Sequence, residues 1–168
     1  MKRILVVSDT HGNYKFLNDV LSFEKKIDVL IHLGDEHTDI DNFTELLDKM
    51  RVFSVAGIYH RDYLNQSKRK LNFNLESLRF QITHSPNDLD LTSKNIDIFI
   101  HGHTHLSLID EHKTFVVLNP GHLKSDMDRG EYPTYMVLEA KDHKLMVLLK
   151  NIHGETIGSK EVNFANEI

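Results

Sequence analysis

Short, almost wholly apolar runs alternate with polar turn segments along this chain, and the spacing of the apolar positions changes about midway. Residues 2–7 carry Ile4-Leu5-Val6-Val7 without a polar break, the pattern of a strand buried on both faces. Between 13 and 25, Phe16, Leu17, Val20, Leu21 and Phe23 recur at helical spacing, with Asn13 placed as the N-cap. Residues 28–33 form a second buried run. Phe43, Leu46, Leu47 and Met50 mark one face of a second amphipathic helix, and residues 51–56 give a third strand. This β-α-β-α-β order predicts parallel strands.

The second half reads differently. Residues 78–82 alternate apolar and polar, as a half-exposed strand does. Ser85-Pro86 is suited to open a short helix, with serine as cap and proline at the first helical position. Strands are predicted at 96–100, 114–118, 134–139, 144–150 and about 156–162. Lys141-Asp142-His143 and His153-Gly154-Glu155 serve as turns between the last three. No repeat and no linker interrupts the chain, so one α/β domain over residues 1–168 is expected.

Composition narrows the partners. A net charge of −5 gives no support for binding a nucleic-acid polymer or an anionic membrane, both of which favour a basic surface. The absence of cysteine excludes disulfides and thiolate metal sites, leaving histidine and carboxylate as metal ligands. No apolar stretch reaches the ~18 residues of a membrane span and no signal-peptide core is visible, so a cytoplasmic protein is expected.

Histidine and aspartate gather at the ends of the predicted strands. Asp9-Thr10-His11 follows the first and Gly34-Asp35 the second. Gly57 follows the third, and His84 follows the 78–82 strand. His101-Gly102-His103-Thr104-His105 follows the 96–100 strand. One such residue at one strand end is unremarkable, and Asp9 with His11 taken alone also fits a turn leading into a helix. Four strand ends carrying them implies one crevice, where α/β sheets place their ligands. Asp9, His11, Asp35, His84, His103 and His105 are thus six candidate metal ligands. A carboxylate can bridge two cations, and Asp35, alone on its loop beside a glycine, is the natural bridge. Two cations about 3.5–4 Å apart suit in-line phosphoryl displacement. The other histidines have blander readings. His32 is a core histidine within a strand, His37 a solvated loop residue and His101 a strand-end cap. Lys68-Arg69-Lys70 reads as a solvated face.

In this order the motifs resemble the calcineurin-like metallophosphoesterase superfamily, and the length resembles its small bacterial and archaeal phosphodiesterase branch. The retromer subunit of the same fold is similar to that branch. Asn119-Pro120-Gly121 and Pro133-Thr134-Tyr135-Met136-Val137-Leu138 are similar to its C-terminal pattern. The resemblance implies a four-layer αββα sandwich of two mixed β-sheets. It implies a binuclear phosphodiesterase that hydrolyses a small phosphodiester through a metal-bridging hydroxide. Asp9, His11 and His105 would hold the first metal, Asp35 would bridge, and His84 and His103 would hold the second. Two divalent ions are expected, Mn²⁺ foremost, with Zn²⁺, Fe²⁺ or Ni²⁺ also suited to these ligands. A homo-oligomer is left open. The family's asparagine after Gly57 is replaced by Ile58, which cannot ligate. His60 then stands as a compensating ligand, as a catalytic acid at phosphate, or as a solvated bystander. His122 follows the NPG turn where the family usually has serine, which makes it a candidate substrate contact. The lost asparagine also supports an alternative reading, a catalytically weakened scaffold of the same fold that binds a protein partner.

Overall fold

The computed structural model describes residues 1–165. The Leu46 side chain and residues 166–168 lie outside the described residues, and with them the Leu46 part of the predicted helix face and the last residues of the expected domain. In chain order the elements begin with β1 (Lys2–Val7), α1 (Tyr14–Phe23) and β2 (Val29–His32). A 3₁₀ turn, His37–Phe43, runs into α2 (Thr44–Leu47), followed by β3 (Arg51–Ser54). A second 3₁₀ turn, Arg61–Leu64, leads to α3 (Gln66–Arg69), β4 (Lys70–Leu75) and β5 (Leu78–Thr83). After a third such turn at Pro86–Asp88 come β6 (Ile98–Ile100), β7 (Leu108–Glu111) and β8 (Val116–Asn119). The chain continues through β9 (Thr134–Lys141), β10 (Lys144–Asn151) and β11 (Thr156–Asn163).

Two mixed sheets result, as the resemblance implies. The first runs β11-β10-β9-β1-β2-β3 and the second β4-β5-β6-β8-β7. β1, β2 and β3 are parallel, and so are β5, β6 and β8, while the remaining pairings are antiparallel. The unbroken apolar run of β1 follows from its place. Ile4 and Val6 point between the sheets with Ile31, Leu33, Phe80, Ile82, Ile98, Ile100 and Leu118, whereas Leu5 and Val7 face α1. Asn13 caps α1 by accepting the Phe16 N–H, and Phe16, Leu17, Val20 and Leu21 are the buried stripe. Phe53 of β3 stacks on Phe73 of β4 at 3.8 Å between ring centroids, and Phe73 on Phe80 of β5 at 5.1 Å. The outer face of the second sheet, at Phe99 and Val117, is covered by Leu89, Ile96 and Phe115 from loop segments. The fourth layer is therefore thin.

Four local readings change. Residues 37–50 do not form one amphipathic helix, although Phe43, Leu47 and Met50 do pack on the α1-side core. The segment enters through Glu36 in the left-handed region (φ 60°). It keeps 3₁₀ form while the buried Asp39 carboxylate reaches back to Thr10 and Gly12, so a polar tether overrides helical spacing. β5 is not half-exposed. Gln81 is buried and its side-chain oxygen accepts the Asp90 N–H, because the 86–97 loop covers that face. β4 was not anticipated, although Leu71, Phe73 and Leu75 alternate with asparagines and all pack on the inter-sheet core. β7, a largely exposed edge strand, was not anticipated either.

A buried charge cluster ties α1 to the first sheet. Glu24 accepts hydrogen bonds from the Tyr135 hydroxyl (2.8 Å), Lys150 Nζ and Arg3 Nη2 (3.2 Å). Burial, reinforced by Glu24, pushes the Tyr135 phenol far above its ordinary pKa. Removing the shared carboxylate takes this acceptor from Lys150 and the Tyr135 hydroxyl, while Arg3 keeps Glu139 and the Lys25 carbonyl. Glu24→Ala is expected to destabilise the fold by about 3–5 kcal/mol in urea unfolding, and Glu24→Gln by clearly less, because its amide oxygen still accepts the Tyr135 proton.

Candidate metal centre

The carboxyl ends of β1, β2 and β3 in one sheet and of β5, β6 and β8 in the other open onto one edge of the sandwich, where their loops are stitched together. The Asp9 N–H donates to Gly34 O and the Gly102 N–H to His84 O, both at 3.0 Å. The His103 N–H donates to Asp9 Oδ2, also at 3.0 Å. The fit between loops is tight enough to dictate glycine at two places. A Cβ on Gly57 would lie 2.1 Å from Asp35 Oδ1, and one on Gly102 would lie 2.0 Å from Ser8 Oγ.

This convergence brings the candidate ligands together. Donor atoms of Asp9, His11, Asp35 and His105 all lie within 4.8 Å of one another. Asp35 faces His11 Nε2 with one carboxylate oxygen (3.3 Å) and His84 Nε2 with the other (3.4 Å), the disposition expected of a bridge. The rings of His84 and His103 lie 5.1 Å apart, so His103 borders the His84 side.

The imidazoles are held in fixed tautomers. His84 Nδ1–H donates to Leu33 O at 2.7 Å, which turns Nε2 toward Asp35, buried and without a hydrogen-bond partner. His105 Nδ1–H donates to the Asp128 carboxylate at 2.5 Å, which turns its Nε2 toward Asp9 Oδ1 at 3.1 Å. Asp9 Oδ1 is likewise buried and without a hydrogen-bond partner. Two carboxylate–imidazole pairs thus face each other, Asp9 with His105 and Asp35 with His84. Acceptors at such distances repel unless a proton or a cation lies between them. The donor set therefore fits divalent cations, with Asp128 completing a carboxylate–histidine–metal arrangement. The electrostatics agree. Burial pushes the Asp9 carboxyl up, but contacts with His105, His84 and Ser8 outweigh it and hold it below the usual range. Burial opposes protonation of His105, yet Asp9 and Asp128 raise its pKa. The Lys124 hydrogen bond, helped by His105, holds Asp128 at about 2.

The backbone is bent to make this site. Asp9, His11, Asp35, His103 and His105 all adopt left-handed φ between 40° and 67°. Each such residue costs on the order of 1 kcal/mol or more, and such strain gathers at functional sites. Aspartate and histidine tolerate it better than branched or bulky residues do.

The remaining expectations fare unevenly. His60 does not join His84 and His103. Its ring packs on His37 at 4.6 Å, and its Nδ1 accepts the Asp62 N–H. It also borders a cavity of about 150 Å³ lined by His11, Asp35, Glu36 and Tyr59. His122, expected at the substrate, is fully buried. Its Nε2 contacts Glu131 O at 3.2 Å, its Nδ1 accepts the Lys124 N–H, and its ring lies 5.4 Å from that of His105. Both nitrogens are engaged by backbone, so the ring braces the 122–131 loop rather than presenting a free nitrogen to substrate. His37 is buried, not solvated, because the Asp39 tether pulls its 3₁₀ turn against the sheet. His101 packs at the strand end as expected, buried beside Asn119. Within Lys68-Arg69-Lys70, Arg69 is not simply solvated, since it lies over the Tyr63 ring and 3.7 Å from Asp88.

Residues not anticipated from sequence do the supporting. Asp128 orients His105. Asp39 accepts from Thr10 Oγ1 (2.7 Å) and the Gly12 N–H (2.9 Å). Arg129 Nη1 donates to the carbonyls of His103 and Thr104, both at 3.1 Å. Asn119, in the NPG turn, donates to Gly102 O and Thr104 Oγ1.

Comparison with known proteins gives the chain a family and its fold a set of solved counterparts. The family model of the calcineurin-like phosphoesterase superfamily domain matches residues 1–143. A probable metallophosphoesterase of Methanocaldococcus jannaschii is 30% identical over 69% of this chain, a match that spans only 65% of that relative's own length. Among solved structures, the phosphoesterase Yfce of E. coli superposes with a TM-score of 0.72 at 20% identity, covering 96% of this chain and 100% of that one. Vacuolar protein sorting 29 (Vps29) of Cryptosporidium parvum superposes with a TM-score of 0.73 at 18% identity, over 96% and 98%. Both structures share the fold.

Two outcomes follow from the supports. Asp128→Ala frees the His105 ring and is expected to weaken metal binding about 10–100-fold, read by calorimetric titration of the stripped protein with Mn²⁺ or Zn²⁺. His32 is buried between Thr10 Oγ1 and the Gly34 N–H, and burial lowers its pKa to about 3. Its folded pKa lies below the unfolded value of about 6.5, so the unfolded chain takes the proton first. Its contribution is therefore complete above pH 6.5 and is lost as pH falls toward 3. In urea unfolding across that window, wild type is expected to lose about 1.4 kcal/mol per pH unit more than His32→Asn.

Proposed function

Because the chain belongs to the calcineurin-like phosphoesterase superfamily, we propose that it is a metal-dependent hydrolase of phosphate esters that acts on a small phosphodiester. The observation that carries this reading is the pair of close carboxylate–imidazole confrontations at Asp9–His105 and Asp35–His84, which calls for positive charge at two places. In this proposal Asp9, His11 and His105 hold one divalent ion, His84 and His103 a second, and Asp35 both. Bound cations of this kind, Mn²⁺ foremost, acidify water and neutralise charge developing on a phosphoryl group.

The chain's own groups do the rest. Leu33 O and Asp128 engage the Nδ1 atoms of His84 and His105, so each ring is aimed with its Nε2 toward the carboxylates. Ser8 and the His103 N–H occupy Asp9 Oδ2, so only Oδ1 is left to ligate. The small cavity between Asp35 and His60 opens beside Tyr59, a largely exposed side chain, and suits a compact ester better than a bulky one. With Ile58 in place of an amide, the His84 side has fewer ligands and is the weaker of the two.

That same loss supports the second reading, a protein-binding scaffold of this fold, as does the shared fold with Vps29. Hydrolysis of bis(p-nitrophenyl) phosphate and of p-nitrophenyl phosphate by Mn²⁺-loaded protein separates the two. The diester is expected to be the better substrate. Asp35→Ala is expected to lose metal from both positions and more than about a thousandfold of the activity. A metal-loaded wild type that hydrolyses neither ester would favour the scaffold, and an Asp35→Ala variant that keeps metal and activity would refute the bridge.

A further inference from the structure

A second histidine cluster lies beside the centre just described and supplies none of the ligands assigned to it. His37 is only 8% exposed, and its Nδ1 is buried with no hydrogen-bond partner. A buried imidazole nitrogen in that state is costly and calls for an explanation. Opposite it stands the His60 ring, 4.6 Å away between centroids and inclined at 80°. Asp62 Oδ2 lies 3.7 Å from His60 Nδ1. One donor atom from each of His37, His60 and Asp62 lies within 4.8 Å of the other two. We infer that His37, His60 and Asp62 form a further divalent-cation site of the two-histidine, one-carboxylate kind that suits zinc, separate from the Asp9, His11, Asp35 and His105 group.

The physical case rests on convergence and on what each residue can give. Two imidazoles and one carboxylate are a ligand set zinc uses when it keeps a position open for water. Donors around a tetrahedral zinc stand roughly 3.4 Å apart for Zn–N of about 2.0–2.1 Å, so binding needs a closure on the order of 1 Å. The closure falls to the loop rather than to His37. His37 is packed down by the Asp39 tether, whereas His60 and Asp62 are half-buried around the short turn Arg61–Leu64. The field at His37 is mixed, with Asp62 and Asp41 opposing His60 and Lys68. The hydrogen bond from the Asp62 N–H to His60 Nδ1 is given up or rearranged on binding. For both reasons this site is weaker than its neighbour. Its effect would be to pin residues 57–64, including Ile58 and Tyr59, against the turn that follows β2.

The test is zinc binding by the full chain stripped of metal, followed by calorimetry and by elemental analysis after desalting. Wild type is expected to take one equivalent more than His60→Ala or Asp62→Asn, or to bind that equivalent at least tenfold more tightly. Asp9→Asn is expected to weaken binding at the neighbouring group while keeping the equivalent that His60→Ala and Asp62→Asn lose. His60 and Asp62 lie outside the core, so their variants should fold, and circular dichroism verifies that they do. If both variants match wild type in stoichiometry and affinity at every step, the site does not exist. If Asp9→Asn and His60→Ala lose the same equivalent, there is one centre and not two, and the inference is equally overturned.

Discussion

A carboxylate set closely against an imidazole nitrogen needs positive charge between the two, and the architecture of this protein is organised around two such oppositions. Asp9 and Asp35 sit at the ends of neighbouring parallel strands and face the Nε2 atoms of His105 and His84, rings anchored through Nδ1 to Asp128 and Leu33 O. Around them the backbone is forced into left-handed turns and two glycines leave no room for a side chain. None of these features favours folding. The apolar layer between the sheets offsets them, with Ile4, Val6, Ile31, Leu33, Phe80, Ile82, Ile98 and Ile100 all deeply buried. The strain and repulsion are local, and the compensation is spread over the whole interior.

How far the sequence could be read depended on whether the signal was local. The strands that carry ligands were legible because a run such as Ile4-Leu5-Val6-Val7 ends abruptly in Asp9, and 96–100 ends in His103 and His105. That the six candidate ligands lie along one edge followed from the parallel order of the strands. β4 was legible in principle, since its apolar residues alternate strictly, but the adjacent basic run and two asparagines obscured it. Asp128 and Asp39 were not legible. Each is one acidic residue in a polar segment, with no spacing to set it apart, and its role depends on contacts made 23 and 29 residues away along the chain. The long-range character of the site also explains His37, whose burial follows from a tether to Thr10 and not from its own neighbours.

The departure at Ile58 has a different structural outcome from the one its position suggests. The chain does not bend His60 back to fill the place of the missing amide. His60 turns to His37 and Asp62, and Gly57 stays pressed on Asp35 as the close contact requires. The glycine of the motif is thus retained for packing although the ligand after it is gone, so two residues adjacent in sequence answer to independent constraints.

The candidate ligands are divided between the two sheets. Asp9, His11 and Asp35 are carried by the first, and His84, His103 and His105 by the second. The gap that any bound ion must span is therefore set by the thickness of the apolar layer, as a spacer sets the jaws of a caliper. Interior positions far from the crevice, such as the stacked Phe53, Phe73 and Phe80, act as that spacer. Volume added or removed there reaches the ligands as a change of spacing, because close-packed interiors transmit strain. Residues with no polar atom in their side chains thereby become part of what selects the ion.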